Sequence, residues 1–324
     1  MNIGVIGTSR ISDMLIKTFK QDHQKVVAVY SRSLKKGQDF ANKHQITSVY
    51  DKLEIFMQDQ NIDVVYIASP NSLHVSQAKL ALNHGKNVII EKPICSNALE
   101  LVELINLAHI KKLMLFEAMP TLHLPNYQII SSYLANIEPL KIVEVNYSQF
   151  SSQYALLKKG QLTNTFDPNY SGGTLMDIGI YGITFVVGLF GQPQEVHYFA
   201  NKHNNIDTSG SIILRYKSFI ATVTISKDSN GKRFAQICGE KGYLFVDSKP
   251  SRVASLAINY NGQDEKLENY QNNDNHYIYE VKDIISCFEK QNYALCDKYL
   301  QKSLDIMTTM DRLRQTANIV FTND

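Results

Sequence analysis

The stretch "VIIEKPICSN", residues 88–97, is an apolar run that ends in three residues that a core strand should not contain. Residues 88–90 are β-formers without polar alternation, which is typical of a strand buried on both faces. Such strands form parallel sheets, whose ligands bind beyond the carboxyl ends of the strands. The sequence therefore predicts that Glu91 and Lys92 lie at a ligand-binding edge, where Pro93 fixes the chain direction.

The pattern around this stretch alternates short apolar strands with amphipathic helices over the first third of the chain. Strands separated by helices of this length indicate βαβ units and a parallel sheet. The predicted strands cover residues 2–7, 25–31, 48–50, 63–69 and 87–92, and the predicted helices cover residues 11–19, 34–44, 52–59, 72–85 and 97–112.

Beyond about residue 119 the pattern changes to strand-like runs joined by short turns, which predict a largely antiparallel sheet. We expect helices 276–290 and 297–317 to cover one face of this sheet, and a second subunit to cover the other. The predicted fold class is α/β. An N-terminal domain on the parallel sheet, residues 1–118, precedes an α/β domain on a large open sheet, residues 119–324, which we expect to form a homo-oligomer, most simply a homodimer.

Composition excludes several classes of protein. The 324 residues include 33 basic and 31 acidic side chains, and this balance does not indicate nucleic-acid binding. The chain opens on a strand-like run, and we expect neither a signal peptide nor a membrane helix. We therefore expect a soluble cytoplasmic protein. No C-x-x-C pattern joins Cys95, Cys238, Cys287 and Cys296, so we expect reduced thiols and no metal site.

The first strand-to-helix turn is where a G-x-G-x-x-G/A dinucleotide fingerprint should lie, and only its first glycine is present. Ser9 and Ser12 occupy the other two fingerprint positions. Serine is the smallest residue after glycine and alanine, so a tight turn and close approach of the backbone to a pyrophosphate remain feasible. An ordinary βα turn is the alternative. The predicted cofactor-binding residues of this turn are Gly7, Thr8, Ser9, Arg10 and Ile11.

The end of the second strand carries no acidic residue to hold a ribose 2′-hydroxyl. Ser31, Arg32 and Ser33 stand there instead, and a guanidinium with two hydroxyls suits a 2′-phosphate. This favours NADP(H), with NAD(H) still possible. The alternative is a solvated basic start of a helix.

Two polar residues interrupt the apolar segment 169–191 at helical spacing. Asp177 and Tyr181 are four residues apart, so a helix would present both on one face. A carboxylate and a phenol together on an apolar helix indicate a site. The alternative is that Tyr181 is an ordinary core residue and Asp177 bonds nearby backbone.

Five segments in this order and spacing resemble the glucose-fructose oxidoreductase / inositol dehydrogenase (Gfo/Idh/MocA) family. Its tyrosine-bearing branch, the dihydrodiol dehydrogenases and NADP-dependent xylose dehydrogenases, is the most similar. The segments are the dinucleotide turn, "YIASPNSLH" (66–74), "GKNVIIEKP" (85–93), "FEAMPTLHLP" (116–125) and "GGTLMDIGIYGI" (172–183).

The resemblance implies a Rossmann dinucleotide-binding domain over residues 1–118 and a substrate-binding and oligomerisation α/β domain over residues 119–324. It implies an NADP(H)-dependent oxidoreductase acting on a sugar, polyol or related hydroxy/carbonyl compound. It implies that Tyr181 is the acid/base, that Lys92 contacts substrate and cofactor, and that Asp177 holds Lys92 or a substrate hydroxyl. A neighbouring ammonium favours the phenolate, which suits proton transfer at the reacting oxygen. The alternative is a dinucleotide-binding regulator or sensor without turnover.

The resemblance also implies supporting contacts. His74 is predicted as a cofactor contact, although a lone histidine is more often a structural hydrogen-bonding residue. His123 follows the crossover into the second domain and is predicted to contact substrate. The remaining implied cofactor contacts are Ser69, Pro70, Asn71, Glu91 and Lys92.

Overall fold

The computed structural model describes residues 1–260, 262–322 and 324, and the chain forms two compact units. The first unit comprises Met1–Met119 and Tyr277–Ser303. The second comprises Pro120–His276 and Leu304–Asp324.

The first unit is built on a six-stranded parallel sheet with the order β3-β2-β1-β4-β5-β6. Strand order reverses between β1 and β4, which is where doubly wound sheets bind ligands. The Rossmann prediction is confirmed, and β6 is a strand that the sequence pattern did not predict. The strands are β1 (Asn2–Ile6), β2 (Lys25–Tyr30), β3 (Ser48–Tyr50), β4 (Val64–Ile67), β5 (Asn87–Glu91) and β6 (Leu115–Ala118).

Helices connect these strands as the alternation predicts. Helix α1 buries Leu15, Ile16 and Phe19, which recur at helical spacing on one face. The connecting helices are α1 (Arg10–Gln21), α2 (Leu34–His44), α3 (Leu53–Gln58), α4 (His74–Asn83) and α5 (Ala98–Lys111), with a 3-10 turn at Asn71–Leu73.

The second unit contains an eight-stranded sheet with the order β14-β13-β12-β11-β7-β10-β9-β8. Every neighbouring pair is antiparallel except β7 and β10, which confirms a mostly antiparallel sheet. The strands are β7 (Leu140–Ser148), β8 (Glu195–His203), β9 (Ile206–Arg215), β10 (Ile220–Ser226), β11 (Phe234–Gly239), β12 (Gly242–Val246), β13 (Leu256–Tyr260) and β14 (Lys266–Glu268).

Two helices cover one face of this sheet: one packs on β7 and β10, and the other packs on β12 and β13. These are α9 (Ile180–Phe190), which continues from a π-helical turn at Leu175–Gly179, and α7 (Pro125–Ile137). The shorter helical elements of this unit are α6 (Pro120–His123), α8 (Ser152–Leu157) and 3-10 turns at Asn164–Phe166 and Pro168–Tyr170.

The last two helices are α10 (Tyr277–Glu289) and α11 (Tyr293–Thr316). The expectation that helix 276–290 covers the antiparallel sheet is wrong, because α10 packs on α1 within the first unit. Its buried face includes Ile278, Val281 and Ile284. A helical pattern shows that an apolar face exists, but it does not show which element that face meets.

Among the residues that the structure describes, one helical segment is long and apolar enough to cross a membrane by length and composition alone. It runs from Pro168 to Phe190, and 72% of its most apolar window is buried inside the protein. Burial of that extent is expected for the core helix of a soluble protein.

Candidate active site

The turn after β1 leads directly into the N-terminus of α1, although it lacks two glycines of the fingerprint. Gly7 has φ +106°, and a Cβ there would lie 2.7 Å from the Ala68 carbonyl oxygen, so glycine is required. Ser9 caps α1 by accepting a hydrogen bond from the Ser12 backbone N–H at 3.3 Å. The second fingerprint position therefore carries a helix cap, and the N–H groups of the first turn remain suited to a pyrophosphate.

The turn after β2 presents the residues that were predicted for a 2′-phosphate. Ser31 is buried and accepts a hydrogen bond from the Ser33 N–H at 3.4 Å, while Ser33 caps α2. Arg32 between them is exposed, so its guanidinium is accessible to a ligand. This arrangement fits an anionic ribose phosphate better than a hydroxyl that needs a carboxylate partner.

His74 joins two turns at the edge of the parallel sheet. Its Nδ1 lies 2.9 Å from the Pro93 carbonyl oxygen and its Nε2 lies 2.9 Å from the Ser69 carbonyl oxygen. The ring is 1% exposed, and burial lowers its pKa. The geometry favours the structural role for His74. It holds the turn after β4 against the Glu91-Lys92-Pro93 turn, and Pro70 and Asn71 lie in the turn that it supports.

Three buried acids of the first unit, Glu91, Glu117 and Glu280, interact electrostatically, and we call them the carboxyl cluster. Glu91 accepts a hydrogen bond from the Tyr66 hydroxyl at 2.5 Å. Glu117 at the end of β6 accepts from the Ser303 hydroxyl at 2.6 Å. Glu280 of α10 is 1% exposed, and its Oε2 has no hydrogen-bond partner among the described residues.

Burial dominates the electrostatics of the carboxyl cluster. It raises the pKa of Glu91 to about 7, although the Tyr66 hydrogen bond and the Lys92 charge oppose the rise. Burial also raises the pKa of Glu117 to about 7, and that of Glu280 well above its usual value. Glu91 and Glu117, which both interact with the Lys92 charge, therefore bind protons near neutral pH. Sequence analysis singled out only Glu91; Glu117 shares its signal, an acid at the end of a buried strand.

In the second unit, the buried Asp207 on β9 fixes the entry to the helix that carries Asp177 and Tyr181. Its carboxylate accepts hydrogen bonds from the Leu175 N–H at 2.6 Å and the Tyr198 hydroxyl at 2.7 Å. Gly173 has φ +115°, and a Cβ there would lie 2.1 Å from Asp207 Oδ1. The motif glycine is therefore required by an aspartate that local sequence patterns could not reveal.

The π-helical turn and the first two turns of α9 leave only the two residues that were predicted to carry chemistry partly exposed. Between residues 171 and 187, every residue is buried except Asp177 and Tyr181, which are half-buried. Asp177 lies in the π-helical turn and Tyr181 in the first turn of α9. Tyr147 of β7 packs beside Tyr181, with ring centroids 6.0 Å apart. A carboxylate and a phenol are thus accessible at the end of a buried helix.

Asp177 has a charged partner that sequence analysis missed. Lys227, directly after β10, forms an ion pair with Asp177 Oδ2 and is 7% exposed. The signal was available, since Lys227 follows a buried strand as Lys92 does. The predicted substrate contact His123 is the last residue of α6 and is 4% exposed.

The described ranges, 1–260, 262–322 and 324, contain no group of three or more His, Cys, Asp and Glu side chains that could hold a metal ion. The first unit fits a nicotinamide dinucleotide instead. Its capped helix N-terminus suits the pyrophosphate, and the exposed Arg32 suits a 2′-phosphate.

Comparison with known families gives two matches that together span most of the chain. Residues 1–119 match the model GFO_IDH_MocA, described as "Oxidoreductase family, NAD-binding Rossmann fold". Residues 137–245 match the GFO/IDH/MocA C-terminal domain.

Curated relatives agree with these matches. The chain is 35% identical over 333 residues to scyllo-inositol 2-dehydrogenase (NADP(+)) IolU of Bacillus subtilis, covering 100% of this chain and 99% of the relative. It is 39% identical to the uncharacterized oxidoreductase YgjR of Escherichia coli, covering 76% of each chain. Human trans-1,2-dihydrobenzene-1,2-diol dehydrogenase is 28% identical over 74% of this chain and 72% of its own length.

Solved structures share the whole fold at low identity. A 3-ketoreductase from Actinomadura kijaniata, in complex with TDP-benzene and NADP, superposes with a TM-score of 0.81 at 18% identity, covering 98% of this chain and 97% of that chain. Levoglucosan dehydrogenase, in complex with NADH and levoglucosan, gives 0.80 at 15% identity with the same coverage. The chain belongs to the GFO/IDH/MocA family of NAD-binding oxidoreductases.

Proposed function

We propose that the protein is an NADP(H)-dependent dehydrogenase of polyols or sugars, which interconverts a secondary hydroxyl and a carbonyl. The observation that carries this proposal is the pair Asp177 and Tyr181, half-buried in the segment 171–187, whose other residues are all buried. Membership of an oxidoreductase family and similarity to an NADP-dependent inositol dehydrogenase support it.

Oxidation of a secondary alcohol removes a hydride from carbon and a proton from oxygen. NADP+, when bound, accepts the hydride. We assign the proton to Tyr181 as acid/base, and to Lys92 the electrostatic stabilisation of the negatively charged oxygen. In the reverse direction Tyr181 returns the proton to the carbonyl oxygen. Asp177 orients the substrate through a hydrogen bond from a hydroxyl.

The cofactor side of the proposal rests on the first unit. We assign the pyrophosphate to the turn Gly7–Ile11 and the 2′-phosphate to Ser31, Arg32 and Ser33. Ser69, Pro70, Asn71 and Glu91 are assigned to the nicotinamide side of the sheet edge, with His74 supporting their turn. Residues 1–118 then serve the cofactor and residues 119–324 the substrate, including His123.

Assembly and location complete the proposal. The face of the antiparallel sheet opposite α9 carries large apolar residues that are exposed to solvent in the single chain. These are Ile142, Phe199, Ile213 and Ile220, with exposures of 48%, 66%, 37% and 38%. We propose that this face is buried in a homodimer or a higher homo-oligomer, because broad apolar surfaces favour association. We further propose that the enzyme works in the cytoplasm, without nucleic-acid or membrane partners.

The function is tested by following nicotinamide absorbance with NADP+ or NAD+ and a panel of scyllo-inositol, D-xylose and trans-cyclohexanediol. We expect polyol-dependent reduction of NADP+ and slower reduction of NAD+. The alternative, a regulator without turnover, predicts cofactor binding in a titration but no absorbance change with any polyol. That result would overturn the proposed function.

A further inference from the structure

A buried lysine that the reaction above does not use pairs with Asp177. The Lys227 side chain is 9% exposed, whereas that of Asp177 is 36% exposed. A buried ammonium is costly unless it is paired, and ion pairs seldom add net stability compared with an apolar contact. The two partners of the ion pair also differ in their exposure to solvent. Its cation lies inside the protein, while its carboxylate reaches the surface one helical turn before Tyr181.

The backbone of Lys227 is fixed from both sides. Its N–H donates to the Thr208 carbonyl oxygen at 2.9 Å, and its carbonyl oxygen accepts from the Ser151 N–H at 2.9 Å. The next residue, Asp228, anchors the same turn by accepting hydrogen bonds from three hydroxyls at 2.8 Å each. The donors are Thr208, Ser209 and Ser226.

The electrostatics of Asp228 agree with this anchoring. Burial alone would raise its pKa, but the hydroxyl donors outweigh burial and lower it. Asp228 therefore stays ionised and keeps in place the turn from which Lys227 reaches Asp177.

The helix also approaches β10 closely enough for the pair to form. At Gly182 a Cβ would lie 2.4 Å from Val223 Cγ1, so only glycine permits this distance. The close packing sets the helix against the strand that ends next to Lys227. Both the sheet and the helix thus contribute to the position of one ion pair.

We propose that Lys227 is a positioning residue that acts through Asp177. It holds the carboxylate in one orientation, so that Asp177 accepts a hydrogen bond from a substrate hydroxyl adjacent to the carbon that is oxidised. The enzyme therefore favours vicinal diols over single alcohols. This inference rests on the proposed function. A hydrogen bond to a charged group contributes about 1.5–3 kcal/mol, which is roughly 10- to 150-fold in affinity.

The test is a double-mutant cycle with NADP+ saturating and the panel polyol that the wild-type protein oxidises fastest. Lys227→Met should raise KM roughly 10- to 150-fold while the dissociation constant of NADPH stays unchanged. In an Asp177→Asn background the same change should have little further effect, because its partner is already lost. Lys227→Arg should restore most of the affinity, and Lys232→Met, at an exposed lysine nearby, should behave as wild type.

Inhibition constants provide the second measurement. Wild type should bind trans-cyclohexanediol, with adjacent hydroxyls, more tightly than cyclohexanol, and Lys227→Met should lose this difference. Equal losses in both Asp177 backgrounds, or an unchanged diol preference, would reduce Lys227 to a structural residue. If Lys227→Met does not fold, as judged by thermal unfolding, Lys227→Arg must keep the diol preference and Asp177→Asn must lose it. Absence of any polyol turnover in the wild type refutes the proposed function instead, and this role with it.

Discussion

Glu91 offers a stability prediction whose sign and size follow from the structure. The carboxyl is 8% exposed, and burial raises its pKa from 4.5 to about 7. Between these values the folded protein keeps a proton that the unfolded chain has released, so the free energy of unfolding falls as pH rises. At 1.36 kcal/mol for each pKa unit, Glu91 costs the fold roughly 3 kcal/mol above pH 7 and little near pH 4.5.

The perturbation is Glu91→Gln, which keeps an oxygen to accept the Tyr66 hydroxyl but cannot ionise. Urea unfolding followed by circular dichroism at several pH values between about 5 and 8 gives the free energy of unfolding. As pH rises over this range, the free energy of unfolding of the variant should increase relative to that of the wild type by about 3 kcal/mol. Glu103→Gln, at an acid with a 62% exposed side chain that pairs with Lys79, is the matched control and should show no such gain.

A loss of stability in Glu91→Gln would exclude burial as the cause of the pH dependence. If ionised Glu91 formed a stabilising ion pair with Lys92, Glu91→Gln would lose stability relative to wild type as pH rises. A difference that does not change with pH would mean that burial does not control the protonation of the carboxyl cluster.

Three further predictions concern cofactor, helix entry and assembly. Arg32→Ala should weaken NADP(H) binding roughly 10- to 150-fold and NAD(H) binding much less, as measured by fluorescence titration; equal affinities for the two cofactors in the wild type would contradict this. Gly173→Ala should lower the free energy of unfolding by at least about 2 kcal/mol, because its Cβ displaces Asp207 from the Leu175 N–H; an unchanged urea midpoint would count against it. Light scattering at micromolar concentration should give a dimer or larger, whereas a monomer mass would exclude the proposed sheet interface.

Much of the fold could be predicted because its signals are local. The strand that ends in Glu91 and Lys92 and the helix around Asp177 and Tyr181 both follow from apolar runs interrupted by charge. Strand β6 was not predicted because it has only four residues. One of them is the buried acid Glu117, which interrupts an otherwise apolar pattern.

The supporting residues of the site could not be predicted because their partners are distant in sequence. Asp207 is 32 residues from Leu175, and Lys227 is 50 residues from Asp177. Glu280 lies on α10, which belongs to the first unit although it follows the second unit in the sequence, and no local sequence pattern predicts this. The sequence therefore shows that Gly173 belongs to a motif, but only the fold shows that Asp207 is the reason a glycine is needed there.

We propose that Tyr181 and Lys92 serve one proton transfer during NADP-dependent oxidation of a polyol. Its most direct test is turnover of wild type, Tyr181→Phe, Lys92→Ala and the double variant, with NADP+ saturating and Tyr293→Phe, at an exposed tyrosine, as control. Tyr181→Phe should keep the fold and cofactor binding and lower kcat by about 10²–10⁴-fold. Lys92→Ala should lose as much or more, and the double variant should lose far less than the product of the two losses. Near-normal turnover in Tyr181→Phe, or strictly multiplicative losses, would contradict the account.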